Sequence, residues 1–262
     1  MHINKLKWIT TKKISVGKHL IPCAHELKSK INQEAGLKKD TKTKLISRAI
    51  LWPFRKIKDD LLVDGFIERI LGKWIKELVK DNSVFLEIGC GDMSLRRFLP
   101  QHICYNAFDI SLSEFHIRRV LKSSTGNYNL ALASATNIPL ESNCVSLIVS
   151  AEVLPNIPEI NKAISEIHRV AMPKAKLLCS IANTTCYKYC IKGTHREHIH
   201  KWSYVDFKEL MEQHRFKFLK GLMMGYWIPL PLWIKRTSYQ LPITSKNEFY
   251  NTNFFYMFEI DK

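Results

Sequence analysis

Two acids and two glycines in this chain have the types and spacing to hold a nucleoside. Glu87 ends a short apolar run, Val84 to Leu86, and the chain then turns through Gly89-Cys90-Gly91. Without a Cβ, Gly89 and Gly91 let the backbone bend sharply and let a ligand approach the main chain. A second apolar run, Ile103 to Phe108, ends in Asp109, 22 residues after Glu87. At the carboxyl ends of neighbouring parallel strands, where α/β sheets bind ligands, an acid in this second position can accept from both hydroxyls of a ribose. Glu87 decides the charge of the ligand: a carboxylate two residues before the first glycine repels a diphosphate and suits a cation. The run GCGDMS also puts Ser94 where a dinucleotide fingerprint has its third glycine. Further on, His198 and His200 have the side chain best suited to take a proton near neutral pH.

The elements that must position these groups can be read from periodicity. Phe66, Ile67, Ile70, Leu71, Trp74, Ile75 and Leu78 recur at helical spacing between Lys56 and Lys80, ahead of the Glu87 strand. The segment Met93 to Leu99 is expected to be helical, as is SLSEFHIRRVLKSS after Asp109. Strands are expected over Tyr128 to Ala133, Val145 to Ser150, PKAKLLCSIAN, Phe216 to Met224 and FFYMFEIDK. Helices are expected over Pro158 to Ala171 and Tyr204 to His214, the latter opened by a Ser203-x-x-Asp206 capping box.

EIGCGDM resembles the first motif, acid-x-Gly-x-Gly-x-Gly, of the class I S-adenosylmethionine-dependent methyltransferases, with Met93 at the third glycine. ASATNIPL resembles that class's Gly-Asp-Ala-x-x-Leu-Pro-Phe loop with Ser134 for the acid. The run from Val145 through AEVLPN resembles the Glu-Val-Leu-x-His stretch of the type 11 family, with Ser146 and Asn156 substituted. Lys174 and Ala175 stand for a Gly-Gly turn, and THREHIHKWSYVD is similar to a stretch of glycan- and small-molecule-modifying members. The resemblance implies a Rossmann-like, doubly wound α/β fold with a seven-stranded, mostly parallel sheet whose last strand is antiparallel. It implies S-adenosylmethionine, whose sulfonium and ammonium answer the charge argument. Glu87 would hold the ammonium end, Asp109 with Ile110 the ribose, and the Gly89-Cys90-Gly91 backbone would wrap the cofactor. Ser134 and Ala135 would edge the adenine, and Ser150 would lie between cofactor and acceptor. Glu152, Asn156, Trp202, Tyr226 and Trp227 would contact the acceptor, with His200 or His198 as base. The expected reaction is methyl transfer to a hydroxyl, less readily an amine, of a small molecule or a glycan or lipid-linked acceptor.

Bulk properties set the rest. At 46% hydrophobic the chain is globular. Of its net charge of +16, residues 1–50 hold +9, so a basic, partly helical extension, residues 1–55, is expected before a catalytic domain of residues 56–262. That arm is read chiefly as solvated, with Trp8-Ile9 and Ile46 to Trp52 as docking patches, and it could meet an anionic membrane surface or RNA. Residues 183–202 and 225–250 are expected to cover the acceptor. The seven scattered cysteines fit reduced thiols, and no apolar stretch suits a secretory signal or a bilayer span, so a cytoplasmic place, at most peripheral to a membrane, is expected. Cys186, Cys190, His195, His198 and His200 do not have a usual zinc spacing, and no metal is expected. Three other readings stay open: an RNA methyltransferase, a cofactor-binding module without turnover, and a nicotinamide enzyme.

Overall fold

The computed structural model describes residues 5–10, 13–16, 19–23, 65–112, 127–192, 198–228 and 239–262. Five strands carry the site edge: β3 (Phe85–Ile88), β4 (Tyr105–Asp109), β5 (Tyr128–Leu132), β6 (Val145–Ala151) and β7 (Ala171–Ala182). They pair in parallel in the order β5-β4-β3-β6-β7. β9 (Asn253–Ile260) pairs antiparallel with β7, and β8 (Phe216–Met224) pairs antiparallel with β9 at the edge. The result is the seven-stranded doubly wound sheet expected, in which the last strand of the chain is the one that runs backwards. The strands are apolar on both faces because helices cover both.

On one face lies α1 (Phe66–Leu78), whose Phe66, Leu71, Trp74 and Ile75 pack with Phe85, Tyr105, Leu147, Val149 and Phe255. On the other lie α2 (Ile160–Val170) and α4 (Tyr204–Gln213), burying Ile160, Ile164, Ile167, Phe207 and Met211 against Leu86, Ile88, Ile148 and Leu177. A short α3 (Tyr187–Lys192) follows β7. The α4 capping box is formed as expected: Asp206 N–H donates to Ser203 Oγ at 3.1 Å, and Ser203 N–H donates back to Asp206 Oδ2 at 3.1 Å.

The structure departs from the sequence reading in two places. Met93 to Leu99 does not form an α-helix; Ser94–Phe98 is a 3₁₀ turn entered through Met93 in the left-handed conformation, φ 60°. The stretch between Gly91 and Pro100, Asp92 to Leu99, is too short to repay the fixing of a first α-helical turn. The second departure is in the amino-terminal arm. Its described part forms a hairpin, β1 (Lys13–Val16) with β2 (His19–Pro22), rather than helix, and it is not solvated where it meets the sheet. Leu6, Trp8, Ile21 and Cys23 are buried. Trp8 Nε1 donates to Asn129 Oδ1 at 2.9 Å, and its ring meets Phe108 edge-on. Leu6 is bound through both main-chain groups, its N–H to Asn106 Oδ1 and its carbonyl to Asn129 Nδ2. Cys23 bridges Leu132 in parallel, which covers part of the exposed edge of β5. Ile46 to Trp52 and the helix expected after Ser111 lie outside the described residues, apart from Ser111 and Leu112.

Candidate active site

The glycine turn is built by its backbone. Gly89 N–H and Cys90 N–H both donate to the Phe108 carbonyl, at 2.9 and 3.1 Å, which ties the end of β3 to that of β4. Gly89 sits at φ 68°, and a Cβ there would lie 2.2 Å from Val153 Cγ2, so glycine is required by the close approach of the loop after β6. Gly91, at φ 45°, is different: a Cβ on it would meet no atom within 4 Å. Open space therefore lies against the main chain at the tip of the turn.

Four further carboxylates share this edge with Asp109. Glu87 is 3% exposed and accepts a 2.5 Å hydrogen bond from the Tyr105 hydroxyl. Burial raises its pKa to about 8, Tyr105 pulls it down, and Asp92, Asp109 and Glu68 push it further up. Alternation along β3 turns Glu87 to the α1 face, the face of Phe85 and Tyr105. Asp109 accepts from Gly91 N–H at 2.9 Å on one oxygen and from Ser111 N–H at 3.0 Å on the other. Each oxygen keeps a lone pair for a further donor. Ile110, next to it, is 57% exposed and offers an apolar surface beside the carboxylate. Glu152 follows β6 at φ 58°, a strained position for a residue with a Cβ. It is held there by its N–H to the Ser180 carbonyl and by Asn156 Nδ2 donating to its own carbonyl at 3.1 Å. Burial raises its pKa to about 7, with Ser180, Asn253 and Lys188 pulling it back and Glu68 raising it.

Other expected site residues fall where the chain order placed them, with specific partners. Ser134 Oγ pairs with the Thr136 hydroxyl at 2.8 Å and accepts from Thr136 N–H, so it closes its own turn; Ala135 beside it is buried. That loop is held from below by Arg169, which donates to the Leu140 and Ile138 carbonyls while paired with Glu166. Ser150 is wholly buried, and its Oγ has no hydrogen-bond partner among the described residues. His200 Nε2–H donates to the Ile157 carbonyl at 2.8 Å and its ring stacks on Trp202, 4.8 Å between centroids. That tautomer leaves Nδ1 as the nitrogen able to take a proton. Trp202 also leans on Phe207, among the residues that pack the α4 face. His198 meets the Tyr189 ring edge-on, and Tyr189 lies near Glu152. Tyr226 and Trp227 join a second cluster, in which Tyr187 is ringed by Tyr226, Trp227, Phe249 and Tyr250 at 5.6 to 6.0 Å. Trp227 is buried in it, while Tyr226, Phe249 and Tyr250 are each about two-fifths exposed. Among the described residues no group of three or more His, Cys, Asp or Glu side chains could hold a metal ion.

Residues 86–179 match the family model described as a methyltransferase domain, type 11. That stretch is similar to a class I methyltransferase domain. It is 26% identical over 133 residues to the ubiquinone/menaquinone biosynthesis C-methyltransferase UbiE of Rickettsia bellii, a match that covers 47% of this chain and 54% of that one. The counterpart from Rickettsia akari is 27% identical over the same length, so the chain spans about half the length of the curated relatives it matches. Among solved structures, a SAM-dependent methyltransferase from Aquifex aeolicus superposes with a TM-score of 0.54 at 18% identity, over 78% of this chain and 92% of that one. The YcgJ protein of Bacillus subtilis superposes with a TM-score of 0.58 at 9% identity, over 75% and 98%. These likenesses are of fold.

S-adenosylmethionine is the cofactor of this class, and the chain's own residues fit it. Asp92 and Asp109 give the turn negative charge and Glu87 adds to it on giving up its proton, which favours a cationic nucleoside and opposes a diphosphate. The space at Gly91 leaves its backbone reachable. Asp109 retains acceptor capacity at the position expected for ribose. The departure at Ser134 removes an acid from the adenine edge, and its hydroxyl is already engaged.

Proposed function

We propose that the chain transfers a methyl group from S-adenosylmethionine to a hydroxylated, ring-bearing small molecule. The reading is carried by one observation: a glycine turn with open space at Gly91, whose N–H is bonded to Asp109, and with Asp92 and Asp109 electrostatically coupled to Glu87. Bound there, the cofactor would supply an electrophilic methyl group. The chain has to hold the acceptor in line, keep water out and take up a proton, and positioning alone can supply much of the rate. Glu87 would hold the ammonium end and Asp109 the ribose, with Ile110 flanking it.

Acceptor contact falls to the loop after β6 and to the aromatic residues Tyr187, Tyr226, Trp227, Phe249 and Tyr250. A ring stacks well on such side chains, whose hydroxyls and indole add polar contacts. Glu152 is the proton acceptor this reading favours, because its buried carboxyl titrates near 7, where a general base works best. His198, beside Tyr189, is the second group able to serve, and His200 holds the loop to Ile157. Removing the proton of a ring hydroxyl makes both that oxygen and the adjacent ring carbon nucleophilic. The hydroxyl target expected from sequence and the carbon methylation named for the Rickettsia relatives therefore need the same first event.

The test is transfer of labelled methyl from S-adenosylmethionine to a panel of phenols, catechols, hydroquinones and reducing glycans. Labelled product from a hydroxylated ring, lost by about a hundredfold or more in Glu152→Gln, is expected. Transfer to RNA in preference to every ring compound would overturn the acceptor assignment.

A further inference from the structure

Glu68, in the first turn of α1, was not among the site residues that the sequence suggested. An acid in a first helical turn is ordinarily explained by the helix dipole, which a solvent-facing carboxylate satisfies. Glu68 does not face solvent freely. Its Oε2 is buried and has no hydrogen-bond partner among the described residues, and its Oε1 is 3.5 Å from the Ser94 hydroxyl.

The packing of α1 explains this placement. Gly72, one helical turn on from Glu68 and on the same face, lies so close to the Phe98 ring that a Cβ would fall 2.4 Å from it. The helix is thereby seated directly on the 3₁₀ turn Ser94–Phe98, which brings Glu68 over Ser94 at the exit of the glycine turn. Glu68 also raises the proton affinity of both Glu87 and Glu152, so it stands within electrostatic reach of the ends of β3 and β6. Its own carboxyl is raised by burial and by Asp92, with its own backbone N–H, Arg97 and Ser94 opposing. Glu152, to which Glu68 is electrostatically coupled, likewise has one oxygen, Oε1, buried without a hydrogen-bond partner among the described residues. Buried carboxylate oxygens left open on electrostatically coupled acids call for a cation with hydrogens to donate.

We propose that Glu68 is a further cofactor-binding residue, gripping the ammonium end of S-adenosylmethionine together with Glu87. The proposal rests on the cofactor reading above and adds to it a residue from outside the glycine motif. Tyr105 occupies one oxygen of Glu87, so a second acid completes the set of acceptors that an ammonium group with three hydrogens can use.

Calorimetric titration with two neutral thioethers separates this from a structural role. S-adenosylhomocysteine keeps the ammonium, and 5′-methylthioadenosine lacks the whole amino-acid end. Glu68→Gln keeps the size of the side chain, and it should weaken S-adenosylhomocysteine by at least about tenfold while leaving methylthioadenosine within about twofold. Unchanged affinity for both ligands would overturn the proposal. So would tighter binding of S-adenosylhomocysteine, which would place Glu68 against the ligand's carboxylate, or an equal loss for both ligands, which would mark a structural role. Asp109→Ala is the control for the parent reading and should weaken both ligands. If the unsubstituted chain binds neither ligand, the cofactor reading itself fails, and the proposal with it.

Discussion

Glu87 is the residue on which the site's electrostatics turn. A carboxylate at the end of a strand, walled by Phe85, Tyr105 and α1, has lost its water, and one phenolic hydroxyl does not replace it. With its pKa raised from 4.5 to about 8, the free chain carries Glu87 largely protonated at neutral pH. The stability this lends is fully present below about pH 4.5 and is lost as pH rises through about 8. Glu152, raised to about 7, acts in the same direction. Unfolding free energy of the free chain should therefore fall between pH 5 and pH 8, by at most about 1.4 kcal/mol per pH unit for each group. Glu87→Gln should flatten that slope and leave the variant more stable than the parent at pH 8 by roughly 1–3 kcal/mol, as read from denaturant unfolding at a series of pH values. Parallel profiles for the two proteins would show that Glu87 is ionised at no cost. A bound cation supplies the missing countercharge, so ligand binding and release of this proton should go together.

At the level of elements, the turns keep a shape that their residues do not favour. Met93 and Lys174 stand where the resembling motifs have glycine, and both adopt the left-handed backbone, at φ 60° and 62°. The shape was thus legible from the motif although the residue that ordinarily makes it is absent. Lys174 is exposed, so Lys174→Gly should relieve strain without loss of packing and raise stability by roughly 0.5–1 kcal/mol in chemical denaturation. Alternating and continuous apolar runs announced each strand of the large sheet, because burial on both faces leaves no other composition. The amino-terminal docking was legible only in the ring of Trp8. Its partners, Asn106 and Asn129, are neighbours on β4 and β5 that bond to each other and to the arm. Nothing local in the sequence links residues a hundred or more positions apart. Trp8→Ala should cost roughly 3 kcal/mol and make the arm a site of early proteolytic cleavage, whereas a merely adhering arm would leave the unfolding midpoint in place. Glu68 was missed for a related reason: helical periodicity accounts for the apolar face of α1 and is silent on which polar residue the seat of Gly72 on Phe98 turns inward.

Over the whole molecule, charge is distributed against itself. A chain with a net charge of +16 places Glu68, Glu87, Asp92, Asp109 and Glu152 within one electrostatically coupled edge of its sheet. The net charge would draw anions to the surface, while the crevice selects for positive charge at short range, where burial weakens screening. Among the described residues no helix is long and apolar enough to cross a membrane. The central claim, that this edge binds a cationic nucleoside rather than a diphosphate, is tested most directly by competitive calorimetry of the intact chain with S-adenosylmethionine and NAD. Saturable binding of S-adenosylmethionine that excess NAD does not displace is the predicted result. Binding of NAD in its place would contradict the account.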